Sequence, residues 1–72
     1  MDVKAKVGET AGAIWHLLRE HGPQTLTQMK KAVEEPGEMV LFAVGWLARE
    51  GNIDIAADKR SFKVSLRQPP PV

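Results

Sequence analysis

The side chains able to do chemistry in this 72-residue chain are mostly cations, and they fall in two groups. Lys30 and Lys31 stand together, while Lys59, Arg60, Lys63 and Arg67 crowd the C-terminal part with Asp58 alone among them. Exposed cations of this kind hold nucleic-acid phosphates; such contacts position a protein on the duplex but do not read its sequence. The competing reading is that they are ordinary solvated surface residues. Reading bases would require Arg, Lys, Asn, Gln or Ser on the outer face of a recognition helix. The segment that would supply that helix, near residues 36 to 50, offers almost none, and Glu35 and Glu38 stand at the end that should enter the groove.

Other chemistries find less support. His16 and Glu20 lie four apart on a predicted helix, a spacing suited to two metal ligands, but no third ligand accompanies them. Surface histidine is the expected reading, and His21 near a helix C-terminus is explained by the helix dipole. The glycines form no phosphate loop, and no nucleophile or base constellation is present, so neither cofactor nor catalysis is expected.

A second signal is apolar. Met39, Phe42 and Trp46 lie on or beside the face that carries Glu38, Gly45 and Arg49. If they protrude, they form an interface patch for a protein partner or a second copy, with Arg49 at its edge. The alternative is that they complete the core. For Trp46 burial is the expectation, with Trp15 on the right face to meet one of the two rings.

The elements that must position these residues follow from periodicity. Val7, Ala11, Ile14, Trp15 and Leu18 recur at helical spacing and predict a first helix near 8 to 21, ended by Gly22 and Pro23. Thr25-Leu26-Thr27-Gln28 matches a capping box and opens a second helix near 25 to 34 with Leu26, Met29 and Val33 inward. Glu34-Glu35-Pro36-Gly37 breaks that helix and starts the third, near 36 to 50, whose core stripe is Val40, Ala43, Val44 and Leu47. Gly51 sits where a left-handed residue is wanted. A hairpin over 52 to 66 follows, with strands 52 to 56 and 61 to 66. Ile53, Ile55, Phe62, Val64 and Leu66 are expected to cover the helices, with Asp54, Lys63 and Ser65 outward.

Composition sets the bounds. Ten basic against nine acidic residues give a net charge of +1, which excludes a strongly polycationic nucleic-acid coat but leaves local patches open. The absence of cysteine excludes disulfides and thiolate metal sites and suits an intracellular setting. The longest apolar run, Met39 to Val44, is far short of the roughly 20 residues that span a bilayer, and residues 1 to 10 lack a signal-peptide layout. A soluble cytoplasmic protein without membrane contact is expected.

Three helices, a proline-glycine turn and a hairpin resemble the winged helix-turn-helix superfamily, an α+β fold, over residues 7 to 66. More narrowly, Ala43-Val44-Gly45-Trp46-Leu47-Ala48-Arg49-Glu50-Gly51-Asn52-Ile53 is similar to the ALGWLAREGKI segment of a family of small stand-alone bacterial winged-helix proteins of uncharacterised function. Residues 1 to 6 are read as an arm and 67 to 72 as a flexible proline-rich tail. The resemblance implies a non-catalytic DNA-binding module of the regulator type. Its contacts, on the residues above, would be phosphate-led from Lys30, Lys31, Lys59, Arg60 and Lys63. The alternative is a protein-interaction or homodimerisation module using Met39, Phe42, Trp46 and Arg49.

Overall fold

Asp2 opens the first helix, its Oδ1 accepting a hydrogen bond from the Ala5 backbone N–H at 3.3 Å, in a computed structural model that describes residues 2 to 67. The helix, α1 (Val3–His21), starts before Gly8, so residues 3 to 6 are its first turn and not an arm. A side-chain cap and the helix-forming run from Val3 to Val7 outweigh the weak propensity of Gly8. Of the tail read over 67 to 72, Arg67 is described and donates its N–H to the Asn52 carbonyl at 3.0 Å, while residues 68 to 72 lie outside the described residues.

Thr10, Ala11, Ile14 and Leu18 are the buried face of α1. Buried Thr10 satisfies its hydroxyl by donating to the Lys6 carbonyl at 2.7 Å. Trp15 lies at the edge of this stripe, partly covered, with the Arg19 guanidinium 5.2 Å from its ring centroid. Gly22, at φ +76°, ends α1 and donates its N–H to the Leu18 carbonyl.

Gln24 and Thr25 form β1 (Gln24–Thr25), a strand that periodicity does not announce because it is two residues long and paired far along the chain. Thr25 is also the N-cap of α2 (Leu26–Ala32). The Gln28 N–H donates to Thr25 Oγ1 at 3.1 Å and the Thr25 N–H to Gln28 Oε1 at 2.9 Å, so both arms of the expected capping box are made. A turn through Glu34, Glu35 and Pro36 leads into α3 (Gly37–Arg49), which buries Val40, Ala43, Val44 and Leu47.

The end of α3 is a Schellman motif. The Asn52 N–H donates to the Leu47 carbonyl at 3.0 Å, the Gly51 N–H donates to the Ala48 carbonyl at 3.1 Å, and Gly51 takes φ +80°. The chain then enters β2 (Ile53–Asp58), turns at Lys59 and Arg60, and returns as β3 (Ser61–Leu66). The sheet is antiparallel with order β1-β3-β2, so β3 is its centre. The fold is α+β: three helices and a hairpin wing in winged helix-turn-helix order.

The core joins Ile14 and Leu18 of α1, Met29 of α2, Val40 and Val44 of α3, and Ile53 and Val64 of the hairpin. Two residues expected to cover the helices do not. Ile55 and Phe62 point to the core side of the sheet, as their pairing with Val64 and Ala57 requires, yet they are 43% and 49% exposed. The strands extend past the helical layer, with β2 running to Asp58 and not Ala56, so only the pairs nearest the helices are covered.

Candidate nucleic-acid interface

The cations read from the sequence are held in two places. Lys59 and Arg60 form the two-residue tip of the wing, closed by the Asp58–Ser61 pair, with Lys59 at φ +57°. Lys63 lies opposite Ala56 and Thr25 in the sheet, alternating with buried Val64, so it projects from the outer sheet face. Pairing of β1 with β3 brings the α2 N-cap beside Lys63. Lys30 and Lys31 sit in the last turn of α2, roughly 8 to 9 Å along that helix from its N-cap. The stem of Lys30 runs along the start of α3, 3.6 Å from where a Cβ of Gly37 would stand. All five cations are exposed, and none makes an ion pair among the described residues.

A further cation, Lys6, is used differently. Its Nζ contacts Glu35 Oε1 at 2.6 Å and Glu9 Oε2 at 3.7 Å, so it spans α1 and the turn before α3. The hydrogen bond and charge of Glu35, aided by Glu9 and opposed by desolvation, hold the Lys6 ammonium above its ordinary pKa. Glu35, expected to face a polyanion, is thereby partly screened. No local sequence signal marks this pair, because its members lie on different elements.

The outward face of α3 carries Glu38, Leu41, Phe42, Gly45, Trp46 and Arg49, all exposed. Only Arg49 among them is suited to reading bases. Trp46 is 48% exposed and Phe42 56%, which corrects the expectation that Trp46 completes the core. Its neighbours in a shallow groove are Val3, Lys4, Val7 and Gly8 of α1, and the glycine there has no side chain to close over the ring. Met39 is partly buried on the same flank. Leu41 and Val3 extend the apolar surface beyond the residues read from the sequence. Leu41 stands four residues before Gly45 and so borders the same face, a position that an apolar-all-round helix obscures.

His16 and Glu20 are exposed on α1, and among the described residues no three His, Asp or Glu side chains gather at a point a metal ion could occupy. No described helix is long and apolar enough to cross a membrane.

Comparison with known proteins adds two findings. A family model described as a winged helix-turn-helix domain (DUF2582) matches residues 1–66. An uncharacterised protein of the archaeon Methanocaldococcus jannaschii is 41% identical over 69 residues, covering 92% of this chain and 97% of that one. The likeness therefore reaches beyond the bacterial proteins that the α3 segment resembles.

Proposed function

The chain belongs to the DUF2582 family of winged helix-turn-helix domains, and from that premise we propose a DNA-binding module of the transcriptional-regulator type. It is a non-catalytic, cytoplasmic module that holds the duplex by phosphate contacts and does not read bases through α3. One observation carries this reading: Lys30, Lys31, Lys59, Arg60 and Lys63 are exposed and unpaired among the described residues, while the α3 face offers Arg49 alone as a base reader. Cations free of internal partners keep their full charge for phosphate, and a wing tip that projects past the core can approach a backbone without moving the helices.

The test is fluorescence anisotropy on a mixed-sequence duplex at several salt concentrations. If about four cations engage phosphates, log affinity falls with log salt at a slope of roughly −3 to −4, with little preference among sequences. No binding at low salt removes the reading.

A further inference from the structure

The outward face of α3 is self-complementary when read in reverse. Glu38, Phe42, Gly45 and Arg49 follow one another at spacings of four, three and four, the seam of an antiparallel helix pair. Glu38 and Arg49 are equidistant from the point between Ala43 and Val44, and so are Phe42 and Gly45. A two-fold axis at that level places each Glu38 against Arg49 of a second copy, at both ends of a contact roughly 16 Å long. The same operation seats each Phe42 ring over the bare backbone of the other copy's Gly45. Exposed Leu41 and Trp46 flank the seam with further apolar surface, Trp46 lying within reach of the second copy's Met39.

Gly45 suits this seam independently of charge. It has no positive φ, and a Cβ built there meets nothing within 4 Å, as at Gly8 and Gly12 of α1, so the backbone at Gly45 is open to a close approach. Glycine in a helix interior is less favourable than alanine, and a second helix packing on Gly45 would offset that cost.

We propose that this protein forms an antiparallel homodimer through α3, with Glu38–Arg49 pairs across the two-fold axis and Phe42 of each copy packed on Gly45 of the other. The dimer leaves the wing cations outside the interface, so it stands or falls separately from the DNA reading.

The test is made without DNA: analytical ultracentrifugation of the full chain across a concentration series, with circular dichroism to check the fold of each variant. The wild type is expected to reach twice the 8.0 kDa chain mass. Phe42→Glu is expected to stay monomeric with an unchanged helical spectrum. Glu38→Arg alone and Arg49→Glu alone should each raise the dimer dissociation constant about tenfold or more, by placing like charges together, and the double exchange should restore it to within about threefold. Both positions are exposed, so the charge exchange remains decisive even if Phe42→Glu fails to fold. A wild type that is monomeric throughout, a dimer indifferent to these substitutions, or a double exchange that restores nothing each overturns the proposal.

Discussion

Lys6 of α1 and Glu35 of the α2–α3 turn are joined at 2.6 Å, tying the first helix to the segment that aims the third. The pair is partly exposed, so its contribution is modest, but it has a defined dependence on pH. Glu35, first by hydrogen bond and then by charge, raises the Lys6 pKa above its ordinary value of 10.5. The stabilisation is therefore complete below that value and is lost as pH rises through the folded-state pKa. Lys6→Met should melt below the wild type at neutral pH, and the gap should narrow in strongly alkaline buffer. Parallel curves across that range would show that the pair does not act as described.

Gly51 holds φ +80° while its N–H donates to the Ala48 carbonyl at the end of α3. A β-branched residue is strained in that conformation. Gly51→Val should destabilise the domain by more than about 1 kcal/mol, measured by denaturant unfolding. An unchanged midpoint would mean that the α3–β2 joint tolerates another backbone path.

The signals at this joint are local, which is why the sequence displays them: a glycine after a helical run, then alternation into a strand. The Thr25–Gln28 capping box is legible for the same reason, since its two bonds join residues only three apart. What sequence alone hides is long-range. β1 exists only because Gln24 and Thr25 lie beside Val64 and Lys63, and the Lys6–Glu35 pair needs the packed helices. Alternation assigns Ile55 and Phe62 to the correct side of the sheet but cannot tell how far the wing runs beyond the core. Trp46 is exposed against expectation because an apolar residue on the flank of a helix is covered only if a side chain reaches it, and Gly8 supplies none.

Lys59 is the sole non-glycine residue with positive φ among the described residues, and it is the first of two at the wing tip. A tight turn with positive φ at its first position is normally occupied by glycine, asparagine or aspartate. Lys59→Gly should leave stability unchanged or raise it by up to about 1 kcal/mol. The same substitution should weaken DNA binding, because it removes a cation at the tip. A stable variant with undiminished affinity would show that strain at Lys59 serves something other than phosphate contact.

The wing and α2 cations separate phosphate binding from association through α3. Arg60→Glu with Lys63→Glu reverses two charges that project from the hairpin, away from the residues of the proposed dimer seam. Affinity for a mixed duplex should fall, and the salt slope should shrink by about 2, roughly 0.9 for each phosphate no longer neutralised. Sedimentation of this variant should match the wild type. Phe42→Glu should do the reverse at the seam, abolishing association, while each monomer keeps its wing; its DNA affinity should change only through the loss of paired sites. Lys30→Glu with Lys31→Glu should resemble the wing variant if one duplex reaches both groups, because α2 is short enough for its two ends to lie within one turn of DNA. If only the wing variant lowers the slope, the duplex lies along the hairpin alone and the α2 lysines are solvated surface charge.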